Sequence, residues 1–142
     1  MNHIESSMQQ SVFAILDRVI VAHRPDLCLD IEDDVKIMGK KVTMMRTIAP
    51  VIGSANGGKR DKATAGRMKK EGTRRGVPDI QCPVPMNGYC GLWIEMKVPE
   101  GTVKKSQKSW IEYLKKAGHR VEVARSVREA TDIVFEYLEV II

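Results

Sequence analysis

The chain has 142 residues, 43% of them hydrophobic and 29% charged, with a formal net charge of +5. That length supports a core without staples and is ordinary for one globular domain. No apolar run approaches the roughly 18 residues of a membrane span and no signal-peptide pattern opens the chain, so a single cytoplasmic domain over residues 1–142 is expected.

Three cysteines, Cys28, Cys82 and Cys90, are odd in number and form no C-x-x-C pair, which argues against a disulfide framework and a structural zinc site. Residues 1–34 hold seven acids and two bases, residues 35–76 twelve bases and two acids, and residues 77–142 nine of each. A basic middle followed by acidic residues suits a surface that attracts a polyanion and then acts on it.

In chain order, Met8, Val12, Leu16, Val19 and Ile20 recur at helical spacing and predict an amphipathic helix over residues 3–23, closed by Pro25. Residues 26–42, with the acidic stretch Asp30 to Asp34, read as extended structure. Residues 43–52 are apolar and β-branched enough for a strand, broken near Pro50. Ser54 to Gly58 is a turn-rich loop. Lys59 to Glu71 favours a basic helix ended by Gly72. Val77–Cys82 and Leu92–Val98 are short strand candidates joined by the turn-forming CPVPMNGYCG. Thr102–Ala117 forms another amphipathic helix, Arg120–Ala124 alternates as a strand, and Ser126 with Glu129 caps a final helix. The pattern is that of one α/β domain.

Candidate chemistry concentrates in Pro78-Asp79 and, sixteen residues beyond that Asp, Glu95-Met96-Lys97. Side chains alternate along a strand, so Glu95 and Lys97 share a face, and an Asp on a neighbouring strand can reach the same point. Two carboxylates held together repel unless a cation compensates them, and hard divalent ions prefer oxygen ligands. Mg²⁺ or Mn²⁺ is the expected occupant. Such an ion acidifies water and stabilises charge on a phosphate, and Lys97 can orient or deprotonate the attacking water.

The ordered set Gly72, Gly76-Val77-Pro78-Asp79, Glu95-Met96-Lys97 and Gln107 resembles the virus-type replication-repair nuclease (VRR-Nuc) family, a branch of the PD-(D/E)XK nucleases. The loop Asn56-Gly57-Gly58 with Arg60 is similar to the segment before that family's basic helix. The resemblance covers residues 54–124 clearly and implies a restriction-endonuclease-like mixed sheet flanked by helices. It further implies Asp79 and Glu95 as metal ligands, the Met96 carbonyl as an additional ligand, Lys97 as the catalytic lysine and Gln107 as an active-site residue. The implied activity is metal-dependent endonucleolytic cutting of DNA, with branched DNA such as Holliday junctions as substrate and a homodimer as the working form. Flap-directed, nick-directed or restriction-like cutting are alternatives, as is a DNA-binding module without catalysis.

Two of these residues carry a second reading. Glu5 shares a helix face with Met8 and Val12, matching a family glutamate near the metal, but Asn2 with Glu5 also fits a capping box. Gln107 lies one turn before the inward Trp110 and Ile111, which suits either a catalytic site or a helix-to-loop hydrogen bond. Arg60, Lys62, Arg67, Lys69, Lys70, Arg74 and Arg75 form the basic segment, read as a contact for the DNA backbone; no interleaved aromatics suggest base stacking. The C-terminal run Glu139 to Ile142 and the first helix are candidate interface surfaces, although helical apolar stripes usually face a core and core packing is the preferred reading.

Strand register supplies a geometric test. Residues that face each other across an antiparallel pair have a constant number sum, and that of Asp79 and Glu95 is even. A strict two-residue turn at Asn87-Gly88 gives an odd sum and sends the two carboxylates to opposite faces. Pro83 and Pro85 cannot continue a ladder easily, so a longer loop or a bulge is predicted between the strands.

Overall fold

The computed structural model describes residues 3–54 and 62–142. Asn2, Asn56, Gly57, Gly58, Lys59 and Arg60, named in the sequence reading, lie outside the described residues. The elements are α1 (His3–His23), β1 (Leu29–Ile37), β2 (Lys40–Ile48), β3 (Ile52–Gly53), α2 (Lys62–Lys70), β4 (Ile80–Cys82), β5 (Leu92–Met96), α3 (Lys105–Lys116), β6 (Arg120–Ala124) and α4 (Val127–Tyr137), with a short 3₁₀ turn at Pro25–Leu27. They form the expected α/β arrangement of a mixed sheet flanked by helices.

That sheet runs β3-β4-β5-β6, and β1-β2 is a separate two-stranded hairpin. β3, β4 and β5 pair antiparallel, while β6 pairs parallel to β5 after the α3 crossover. Alternation along β5 divides its side chains between two environments. Leu92, Ile94 and Met96 enter the core with Val12, Leu16 and Ile20 of α1 and Ala130, Val134 and Tyr137 of α4. Trp93 and Glu95 point the other way, toward the face on which α3 packs.

The first helix therefore spends its apolar stripe on the core. At the C-terminus Leu138 is buried, whereas Ile141 and Ile142 are exposed. Arg24 closes this layer by donating to the Leu138 carbonyl at 2.5 Å, tying the end of α1 to the end of α4.

The β4–β5 connection contains both the tight turn and the bulge. Met86 and Tyr89 bridge across Asn87-Gly88, whose φ angles of 52° and 83° mark a type I′ turn. Deeper in the hairpin, Cys82 faces Leu92. Three residues (Pro83, Val84, Pro85) thus oppose two (Cys90, Gly91), and this extra residue restores the even register. The Val84 carbonyl, displaced from the ladder, accepts a hydrogen bond from the buried Tyr137 hydroxyl at 2.6 Å.

Several expected boundaries shift. The strand expected over 43–52 is divided between β2, which already starts at Lys40, and β3, because Pro50 cannot donate to a ladder. Residues 26–42 supply β1 and the start of β2, a nine-by-nine pairing turned by Met38-Gly39. β4 begins at Ile80 rather than Val77, since Pro78 and the bend at Asp79 precede the ladder. α3 begins at Lys105, later than the expected Thr102. In α4 the Ser126 side chain accepts from Glu129 N–H at 3.0 Å, but the Glu129 carboxylate reaches back to Arg125 N–H, one residue beyond the expected cap.

Candidate active site

The β4–β5 register pairs Ile80 with Ile94, Gln81 with Trp93 and Cys82 with Leu92. One step further along the same register sets Asp79 opposite Glu95, on the face away from the core. Asp79 is buried, and its Oδ2 accepts from Met96 N–H at 2.8 Å. Glu95 is 2% exposed; its Oε1 accepts from the Gln107 amide at 2.5 Å and lies 3.9 Å from the Lys97 ammonium. Lys97 is itself buried. Asp79, Glu95, Lys97, Gln107 and Glu5 all line one cleft of about 1170 Å³.

Three packing features hold these groups together. Gly76 has φ +92°, and a Cβ there would stand 2.6 Å from the backbone C and O of Ser106. The loop that delivers Asp79 therefore rests directly on the first turn of α3, which carries Gln107. Gln107 also accepts from Lys104 N–H at 2.8 Å, the helix-to-loop hydrogen bond expected of it, while its side chain lies in the cleft. Its oxygen completes the helix start and its NH₂ grips Glu95. Beyond β5, Val98 N–H donates to Glu5 Oε2 at 3.1 Å, and Arg125 Nη1 stands within hydrogen-bond distance of the Val98, Pro99 and Gly101 carbonyls.

The electrostatics follow from burial. Desolvation raises Glu95, and the charge of the facing Asp79 raises it further, to about 9, against a smaller lowering by Lys97. Asp79 is also raised, chiefly by burial, with the Met96 N–H opposing that shift. Among the described residues no donor meets the buried Glu95 Oε2, and the Glu95 carboxyl has only the Asp79 carboxylate to share a proton with. A lone buried carboxylate oxygen beside a second carboxylate is poorly stabilised by the protein alone, and a hard cation resolves both problems. Among the described residues no three His, Cys, Asp or Glu side chains form a closed ligand set. Mg²⁺ fits that pattern, because it is commonly held by one or two carboxylates and keeps several waters.

The basic segment divides into two groups. Lys69, Arg74 and Arg75 line the cleft, whereas Lys62, Arg67 and Lys70 are exposed elsewhere on or beside α2. Arg67 lies 3.9 Å from Glu71. Lys104 and Lys105 also line the cleft, a contribution the sequence reading missed although the run VKKSQK at the start of α3 signals it. Arg125 was equally invisible, because it meets its carbonyl partners 24–27 residues away in sequence.

Fold and cleft define a mixed α/β domain that gathers paired acids, a buried lysine and a basic rim. A family model described as the VRR-NUC domain matches residues 54–128, just over half of the chain. The chain belongs to this nuclease-type family. A solved structure described as a VRR_NUC domain protein is similar in fold, with a TM-score of 0.65 and 21% identity over 95% of this chain and 88% of its own. No curated protein matches. Among the described residues no helix is long and apolar enough to cross a membrane.

Proposed function

We propose that the chain is a single-domain, divalent-metal-dependent endonuclease that hydrolyses DNA phosphodiester bonds, with branched DNA as substrate and a homodimer as the working form. The observation that carries this reading is the direct opposition of Asp79 and Glu95, with Glu95 Oε2 buried and met by no donor among the described residues, in a cleft rimmed by bases. Asp79 and Glu95 would hold Mg²⁺ or Mn²⁺, with the Met96 carbonyl and Glu5 as further candidate ligands. When bound, the ion supplies positive charge for the phosphate oxygens and acidifies nearby water.

The chain's own groups do the rest. Gln107 fixes Glu95, and Glu5 fixes the segment after Lys97. The Lys97 ammonium orients the attacking water and its charge favours loss of the water proton, which ends on the leaving oxygen. Water oxygen bonds to phosphorus as one ester P–O bond breaks, leaving a phosphate end and a hydroxyl end. Lys69, Arg74, Arg75, Lys104 and Lys105 draw in the backbone without reading bases. Two copies would present two such clefts to the strands of a junction.

The test is cleavage of four-way, flap, splayed and linear duplex DNA with Mg²⁺ or Mn²⁺, beside Asp79→Ala and Lys97→Ala. Both variants should lose cutting, and Lys97→Ala should retain DNA binding. A wild-type chain inert on every substrate, or Lys97→Ala cutting at the wild-type rate, overturns the proposal.

A further inference from the structure

The chain builds one kind of tight turn twice and fills it with different residues. Asn87-Gly88 has φ 52° and 83°; Met38-Gly39, at the tip of the β1–β2 hairpin, has φ 52° and 78°. Asn tolerates the left-handed backbone because its short polar side chain can bond locally, an option an apolar chain lacks. Met38 is 97% exposed, so no packing compensates it.

Its neighbours add to the anomaly. Lys36 faces Lys41 directly across the ladder, and Lys40 follows the turn opposite Ile37. Like charges in directly opposed positions destabilise a hairpin. Lys41 is 3.1 Å from Asp34, but Lys36 and Lys40 stand in no ion pair among the described residues. The methionine, its backbone and the facing lysines all work against folding stability, and all suit a polyanion that offers an apolar slot. Stacked bases between phosphates have that chemistry.

We propose that the β1–β2 tip is a second DNA contact, in which Lys36, Lys40 and Lys41 meet phosphates while Met38 wedges between bases at a weakly stacked step. Apolar wedges flanked by cations are a known way to exploit such steps. The identity of the polyanion rests on the nuclease reading above. Nine residues per strand carry the tip on the order of 30 Å from the strand roots. Asp30, Glu32 and Asp33 line the lower half of β1, where only Arg46 offsets them, at 3.2 Å from Asp33, and they disfavour a backbone there, which leaves the tip as the contact.

The substitution Met38→Asn tests this without endangering the fold, because it installs the residue the other turn already uses. Binding is followed by anisotropy in EDTA, where no cutting occurs, on a three-way junction carrying 2-aminopurine beside the branch. Wild type should raise the 2-aminopurine fluorescence. Met38→Asn should melt at the same or a higher temperature, lose that rise and bind about tenfold more weakly. Lys36→Ser with Lys40→Ser should flatten the salt dependence of binding.

Equal affinity and equal fluorescence for Met38→Asn overturn the wedge. So does a change of sedimentation with affinity per protomer intact, which would make the tip a contact between copies. Because binding is read without metal, a wild type that never cuts yet shows Met38-dependent binding sinks the nuclease reading alone, whereas normal cutting with Met38-independent binding sinks only the tip.

Discussion

Gln107 donates to Glu95 Oε1 while accepting from Lys104 N–H, so one side chain both completes the start of α3 and aims a buried carboxylate. The two roles separate on truncation. Gln107→Ala should cost about 1 kcal/mol of stability, the usual worth of a helix-start bond. If the grip on Glu95 matters to the chemistry, cleavage measured well below the melting temperature should fall roughly 10- to 100-fold, as for other groups that orient metal ligands. Loss of stability with unchanged cleavage would leave Gln107 as a helix cap only.

Glu95 predicts a pH dependence of stability that has the opposite sign to that of an ordinary surface acid. Its pKa rises on folding, from 4.5 to about 9, mainly through burial and secondarily through Asp79. The metal-free fold therefore has this contribution in full below about pH 4.5 and loses it progressively as pH rises toward 9. Asp79, also raised, acts in the same direction. In EDTA, Glu95→Gln should melt higher than wild type at pH 8, with the difference vanishing near pH 4. Added Mn²⁺ should then stabilise wild type and leave Glu95→Gln nearly unmoved, since only a ligand that binds the folded state shifts the equilibrium. A wild type whose EDTA melting temperature climbs between pH 5 and 9 relative to Glu95→Gln would contradict the buried pair.

Gly76 seats the loop that delivers Asp79 on the first turn of α3, and its substitution should be costly for two reasons. A left-handed backbone costs a non-glycine residue about 1–2 kcal/mol. The added Cβ, 2.6 Å from Ser106 backbone atoms, forces the loop and α3 apart, an overpacking worth about 1–3 kcal/mol more. Gly76→Ala should thus lose several kcal/mol in urea unfolding. Gly72, equally left-handed but with open space around it, should lose only the backbone part as Gly72→Ala. Equal losses at the two positions would show that contact with α3 is unimportant.

These cases show where the sequence was informative. The convergence of Asp79, Glu95 and Lys97 was legible because they lie in or beside two short paired strands, β4 and β5, whose alternation and register fix which face each takes, and parity alone demanded an extra residue between them. The bulge at Pro83–Pro85 met that demand, together with the tight turn. What could not be read were contacts without a period: Gly76 against Ser106, Arg125 against the 98–101 loop, and Glu5 against Val98. Each joins distant segments, and nothing local announces it. The β1–β2 hairpin was missed for another reason. Its turn carries Met38 where Asn is usual, and its acidic run hid the alternation beneath.

The division of the basic segment gives the last prediction. Charge counting treats Arg67 and Lys70 as equal to Arg74 and Arg75, but only the latter pair lines the cleft, together with Lys69, Lys104 and Lys105. Each phosphate neutralised by a cation contributes roughly 0.9 to the slope of log affinity against log salt on duplex DNA. Replacing Arg74 and Arg75 by Ser should lower that slope by up to about 2 and weaken binding uniformly across sequences. The double substitution of Lys104 and Lys105 should do the same, provided α3 still forms, which circular dichroism checks. Arg67→Ser with Lys70→Ser should change the slope much less, because Arg67 already faces Glu71 and neither side chain borders the cleft. The comparison is informative because all three pairs remove the same net charge. Long-range attraction to a polyanion falls alike in each, so any difference in slope measures which cations touch phosphate. Three indistinguishable slopes would mean that DNA is held by overall charge, and that the rim of this cleft does not seat the backbone.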